Sequence, residues 1–115
     1  MIVYFHSKCT TCQNAQRFLE KKKIAIIIKD ITKEPPSIHE LQKMLDFQNG
    51  NVTKLLNTSG QLYREMQLSK KLKDMPLPEI LALLNCHGML VKRPFLLAND
   101  FGFTGFKEAE WSQKF

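Results

Sequence analysis

The chain opens with Met1-Ile2-Val3-Tyr4-Phe5, an apolar run of β-branched and aromatic residues that predicts a strand. Behind a polar turn, Ala15, Phe18 and Leu19 fall on one face of a helical pattern of about a dozen residues. Gln13, Gln16, Arg17 and Glu20 to Lys23 largely fill the other face. Ile24-Ala25-Ile26-Ile27-Ile28 then returns to apolar density and predicts a second strand, buried on both faces. Strand, helix and strand make a right-handed βαβ unit whose strands run parallel. The stretch from Asp30 to Pro36 breaks the pattern and turns the chain. Ser37 and Glu40 stand at capping-box spacing. The helix they open carries Ile38, Leu41 and Leu45 on one face and stops near Asn49-Gly50.

Further on, Asn51 is placed to cap a short helix with Val52, Leu55 and Leu56. Leu62, Tyr63 and Met66 predict another helical turn, and Ser69 to Asp74 a charged surface segment. Met75-Pro76-Leu77-Pro78 leads into the apolar helix Glu79 to Leu84, ended by Asn85 and Gly88. Sheet character returns at Leu90-Val91 and at Phe95 to Ala98. Asn99-Asp100 reads as a turn, and Phe101 to Phe106 alternates as a hairpin partner would. Lys107 to Phe115 predicts a last helix carrying Ala109 and Trp111. This order places the chain in the α/β class: βαβ, helices, then ββα, with a mixed sheet covered by helices. The helices from about residue 35 to about residue 88 are an insert, and 1–115 is one domain.

Composition narrows the functional classes. A chain of 115 residues buries a core without staples. Three cysteines are too few, and odd in number, for a secreted disulfide framework. No apolar run approaches the ~20 residues needed to cross a bilayer, and the short N-terminal run lacks the form of a signal peptide. The expectation is a cytoplasmic protein with no membrane partner. The net charge of +6 is partly concentrated in Lys21-Lys22-Lys23 and in Lys70, Lys71 and Lys73. No stacking aromatics are interleaved with these lysines, so solvated helix ends explain them better than direct nucleic-acid contact.

Between the first strand and helix lies Ser7-Lys8-Cys9-Thr10-Thr11-Cys12-Gln13. Cys9 falls in the turn, and Cys12 about one helical turn on. Free N–H groups and the helix dipole favour negative charge there, and the thiolate is the reactive form of a thiol. Lys8 adds positive charge, and Cys12 is spaced to attack a mixed disulfide formed on Cys9. Two other readings stand beside this one. A zinc site would need two further ligands, for which Cys86 and His87 are the available set; a pair of inert, buried cysteines is the other. Cys86 itself reads as a small, partly buried hydrophobe without assigned chemistry, and His6 as a solvated strand-end histidine within reach of the thiolate.

The element order, the Cys9-Thr10-Thr11-Cys12 turn and the late Arg93-Pro94 dipeptide together resemble the arsenate reductase-related (ArsC, Spx and MgsR) proteins of thioredoxin fold. The stretch from Gly50 through Leu55-Leu56-Asn57-Thr58-Ser59-Gly60 to Tyr63 is similar to that family's central segment. The resemblance implies a thioredoxin-like fold with a helical insert, a redox-active Cys9 resolved by Cys12, an anion-holding Arg93 and a cis-Pro94. It surrounds the substrate with Lys8, Thr10, Thr11, Asn57 and Pro94, with no metal and no bound cofactor. Glutathione, glutaredoxin or thioredoxin is the implied electron donor. The chain departs from the arsenate enzymes where they use three arginines. Only Arg93 stands at a matching place; Asn57 is neutral, Arg64 lies elsewhere on the insert, and Lys107 is a poor geometric substitute. The expectation is a thiol-dependent reductase for which arsenate is a doubtful substrate, partnered by a small thiol or a redox protein. The alternative is a redox-sensing regulator of the Spx and MgsR kind. Through a Cys9–Cys12 disulfide switch it would meet the C-terminal domain of the RNA polymerase α subunit, with Gly50 at the contact or simply capping its helix. Ending at Phe115, without the longer tail of Spx, tells against that alternative.

Overall fold

The computed structural model describes residues 1–115. Its first strand, β1 (Ile2–Phe5), leads through a turn into helix α1 (Thr10–Lys21) and then β2 (Ile27–Asp30). The insert contains α2 (Ile38–Phe47), a 3₁₀ turn at Val52–Leu55, the short helices α3 (Gln61–Glu65) and α4 (Leu68–Lys71), a 3₁₀ turn at Leu72–Asp74, and α5 (Leu77–Cys86). A 3₁₀ turn at Gly88–Leu90 precedes the hairpin of β3 (Phe95–Leu97) and β4 (Gly102–Thr104), and α6 (Glu108–Ser112) closes the chain. The strands lie in the order β2-β1-β3-β4. β1 pairs parallel with β2, antiparallel with β3, and β3 antiparallel with β4. The mixed sheet is therefore the one the sequence predicts.

Alternation along the two central strands builds a core on each face. Val3, Phe5 and Leu96 point to one side, where Cys12, Ala15, Phe18 and Leu19 of α1 and Trp111 of α6 cover them. Tyr4, Phe95 and Leu97 point to the other, against Leu41, Met44 and Leu45 of α2, Ile80, Leu81 and Leu84 of α5, and Leu68. The helical insert thus forms one layer of a three-layer α/β/α stack. Its first helix begins as the sequence indicates: Ser37 Oγ accepts from the Glu40 N–H at 3.1 Å, and Glu40 Oε1 accepts from the Ser37 N–H at 2.9 Å. Asn49 and Gly50, both at positive φ, end it.

Several local expectations are corrected. β2 is an edge strand and starts at Ile27, not Ile24; Ile27 and Ile28 are 59% and 50% exposed. Only β1 flanks it, and Ile24 and Ile26 pack instead against the Phe5 side of the sheet before the strand begins. Ile38, in the first turn of α2, is half exposed, and the buried face is Leu41, Met44 and Leu45. Asn51 makes no side-chain cap, and its turn is 3₁₀. Leu90-Val91 forms no strand, only a single antiparallel bridge from Val91 to Leu56. Ala109 faces solvent, leaving Trp111 as the anchor of α6.

Candidate functional site

Cys9 is the N-cap residue of α1, with φ −94° and ψ 115°, and its side chain takes the capping role usually given to a hydroxyl or carboxylate. The Cys12 backbone N–H donates to Cys9 Sγ at 3.4 Å. The Cys9 N–H donates to the His6 carbonyl at 3.1 Å, and Gln13 Nε2 to the Ser7 carbonyl at 3.0 Å, so the turn is held from both ends. Cys9 is half-buried, whereas Cys12 packs against the sheet at 2% exposure. One thiol can be approached from solvent and the other cannot.

The two sulfurs differ equally in acidity. Burial raises the pKa of Cys9, but hydrogen bonds from the Cys12 thiol and backbone, with the charge and guanidinium of Arg93, outweigh it and leave the thiol below its ordinary value. Burial is also the largest influence on Cys12. Together with the hydrogen bond to Cys9 and the negative charge there, and against smaller opposing contributions from the His6 backbone and Arg93, it pushes that thiol up to about 12. Of the two sulfurs Cys9 ionises first, and its thiolate then accepts a hydrogen bond from the Cys12 thiol.

A cleft of about 310 Å³ lies over Cys9 and is walled by Thr11, Asn57, Arg93, Lys92, Thr104 and Lys107, among others. The Arg93-Pro94 bond is cis, and Pro94 is buried beneath the site. Arg93 Nη1 also donates weakly to Met89 Sδ at 3.4 Å. Asn57 is carried to the rim by main-chain pairing, its N–H donating to the Leu90 carbonyl at 2.8 Å. Gly105 sits at φ 77°, and a Cβ there would approach Lys92 Cε at 3.0 Å, so the lysine stem crosses the glycine.

Of the residues singled out from sequence, Cys9, Cys12, Thr11, Asn57, Arg93 and Pro94 come together here. Lys8 and Thr10 are exposed next to the motif and do not line the cleft. Arg64 points away and donates to the Ser59 carbonyl at 3.1 Å. Cys86 is exposed, not partly buried. No three of the histidine, cysteine, aspartate and glutamate side chains gather in a metal-binding arrangement. Sequence reasoning missed Lys92 and Phe106. Strand alternation would have sent Lys92 and Arg93 to opposite sides, but they precede β3 in irregular backbone.

A mixed sheet of this order with helices on both faces and a cysteine pair at the start of the first helix is a thioredoxin-like fold. The chain belongs to the ArsC family, whose model matches residues 4–114. It is 37% identical over 110 residues to the uncharacterized protein YusI of Bacillus subtilis (strain 168), covering 96% of this chain and 93% of that one. It is 26% identical over 108 residues to the global transcriptional regulator Spx of the same organism, covering 94% of this chain and 81% of that one. The crystal structure of a possible arsenate reductase from Streptococcus mutans UA159 superposes with a TM-score of 0.90 at 33% identity, covering 99% and 97% of the two chains. No helix is long and apolar enough to cross a membrane.

Proposed function

We propose that the chain is a thiol-dependent reductase of the ArsC family in which Cys9 attacks and Cys12 resolves. The observation that carries this reading is the asymmetry of the pair: an approachable, acidified Cys9 and, 3.4 Å from its sulfur, the N–H of a buried Cys12 whose own thiol keeps its proton. The Cys9 thiolate attacks one sulfur of a substrate disulfide, the substrate S–S bond breaks, and the departing thiolate takes a proton from solvent. Cys12 then attacks Cys9 Sγ, the bond between Cys9 and the substrate sulfur breaks, and the Cys12 proton passes to the departing substrate thiolate, closing a Cys9–Cys12 disulfide and releasing the second substrate thiol. An external thiol donor of the glutathione, glutaredoxin or thioredoxin class restores the pair; such donors and free thiols belong to the cytoplasm. Arg93 steadies the thiolate and the negative charge that develops on the sulfurs during exchange. With Asn57 neutral and Lys107 a point charge, Arg93 is the one planar donor of the three the arsenate enzymes use, and arsenate is a poor substrate. The test is trapping. Cys12→Ser should accumulate a mixed disulfide on Cys9 during turnover, and Cys9→Ser should abolish turnover; equal activity of the Cys9→Ser protein would refute the reading.

A redox-sensing role is the second reading, favoured by the neutral Asn57 and by the similarity to Spx. In it the Cys9–Cys12 disulfide changes the surface offered to the C-terminal domain of the RNA polymerase α subunit. Gly50, exposed at φ 79° with open space above it, supports that contact, although its N–H also caps α2 on the Leu45 carbonyl at 2.9 Å. Capture of that domain by the oxidised but not the reduced chain, without catalytic turnover, selects this reading.

A further inference from the structure

Beyond the Cys9 cleft, across a saddle made by Lys92, Thr104 and Lys107, lies a second cleft of about 230 Å³ that adds Lys54 and Gln48. Four cations, Lys54, Lys92, Lys107 and Arg93, therefore run continuously from this second cleft to the reactive sulfur. None is within 4 Å of a carboxylate, because the chain's single ion pair is Lys29 with Glu34 at 3.5 Å. Two carboxylates stand near the ends of the run, Glu110 in the second cleft and Glu65 in a groove on the far side of Arg93. We propose that this run is the docking surface for an acidic dithiol protein that reduces the Cys9–Cys12 disulfide; the proposal rests on the reductase reading above.

Three observations select that partner. The lysines are exposed and spread over two clefts. Screened, separated charges hold a small ligand weakly, but they add up over the footprint of a protein and steer its approach. The end of the run is a sulfur whose disulfide is opened in exchange by a thiolate, a group that a nucleic acid does not carry. The flanking Glu110 and Glu65 would also repel a continuous polyanion, whereas a protein surface can place its own cations opposite them. The electron path follows from access. Cys12 is buried, so the partner thiolate attacks Cys9 Sγ and the Cys9–Cys12 bond breaks; Cys12 leaves as thiolate and is protonated. The partner's second thiol, as thiolate, then attacks the partner sulfur in the mixed disulfide. This releases the Cys9 thiolate and carries away an oxidised partner, two electrons poorer.

The test is quenched-flow reduction of the oxidised full chain by a reduced thioredoxin of net negative charge, with dithiothreitol, too small to span the run, as the comparison. Raising the salt from low to high should slow the thioredoxin reaction by about tenfold, and Lys54→Glu at low salt by about three- to tenfold. Neither change should move the dithiothreitol rate. Thioredoxin rates indifferent to salt and to Lys54→Glu would overturn the docking surface while leaving the reductase reading intact. So would a duplex DNA that binds the wild-type chain and is released by Lys54→Glu while those rates hold. Failure of any Cys9–Cys12 disulfide to form would remove both.

Discussion

The backbone N–H of Cys12 donates to Cys9 Sγ at 3.4 Å, so the residue that lowers its neighbour's pKa is also the one that displaces it in the proposed reaction. The relationship is a property of the helix start. An N-cap side chain accepts from the N–H three residues on, which is the spacing of a C-x-x-C motif. Sulfur in the capping position is thereby stabilised as an anion, and a thiol at the third helical residue faces it across one turn. Burial of Cys12 against the sheet supplies the rest of the asymmetry, because a desolvated thiol resists ionisation.

Arg93 is the first residue to test. It has no carboxylate partner, and its charge acts on the Cys9 sulfur. Removing that charge with Arg93→Gln should move the Cys9 titration upward. Below a pKa the thiolate fraction falls about tenfold per unit, so alkylation of Cys9 in a Cys12→Ser background should slow by about three- to tenfold at neutral pH. Arg93→Lys, which keeps the charge but not the planar fork, should recover part of the rate. The pH profile of iodoacetamide labelling checks both; an unmoved profile would mean that the guanidinium plays no electrostatic part.

Stability of the reduced protein should depend on the two thiols with opposite signs. Cys9 titrates lower in the folded than in the unfolded chain, so above its folded pKa the unfolded state binds more protons and stability rises with pH. That contribution is complete above the ordinary cysteine value and is lost as pH falls through the depressed one. Cys12 behaves the other way: its contribution is complete below the ordinary value and is lost as pH climbs toward about 12. Urea unfolding across the alkaline range should therefore show the rising limb flattened in Cys9→Ser and the falling limb flattened in Cys12→Ser, each relative to wild type.

On the opposite face of the sheet, the Tyr4 hydroxyl donates to Glu40 Oε1 at 2.7 Å, tying β1 to the capping box of α2. Burial would raise the Glu40 carboxyl, but hydrogen bonds from the Ser37 backbone, the Tyr4 hydroxyl and the Ser37 side chain, with the charge of Lys29, outweigh it and hold it below its ordinary value. A hydrogen bond to an ionised group contributes about 1.5–3 kcal/mol, and Tyr4→Phe should cost about that much in urea unfolding at neutral pH. Glu40's contribution is lost as pH falls through its depressed pKa. The gap between Tyr4→Phe and wild type should therefore narrow in acid.

What the sequence discloses and what it hides follow from how local each feature is. The β1 turn, the α1 start and the Ser37–Glu40 box depend on residues a few positions apart, and all three stand as the sequence implies. The isoleucines of β2 do not, because whether a strand is covered depends on elements far along the chain; Ile27 and Ile28 read as core and lie at an edge. Cys9 and Arg93 were legible through the motif and the dipeptide. Lys92 and Phe106 reach the same cleft only because the hairpin of β3 and β4 folds their flanking segments toward α1, which periodicity does not encode.

Trp111 offers a stability test in which two effects oppose each other. Its ring is fully buried, stacked on Phe103 at 5.6 Å and edge-on to Phe106 at 4.9 Å. Its Nε1–H has no hydrogen-bond partner. A buried donor left without a partner costs about 1–3 kcal/mol, while trimming an indole to a phenyl forfeits contact worth about 1–2 kcal/mol at the usual area rate. Trp111→Phe should therefore change stability by no more than about 1 kcal/mol, far less than the 3–5 kcal/mol or so expected for Trp111→Ala, which leaves a cavity beside Phe18 and Phe103. Urea midpoints of the two variants decide the point. A Trp111→Phe loss as large as that of the alanine variant would mean that the indole N–H is hydrogen-bonded in solution and that α6 is held by polarity as well as by packing.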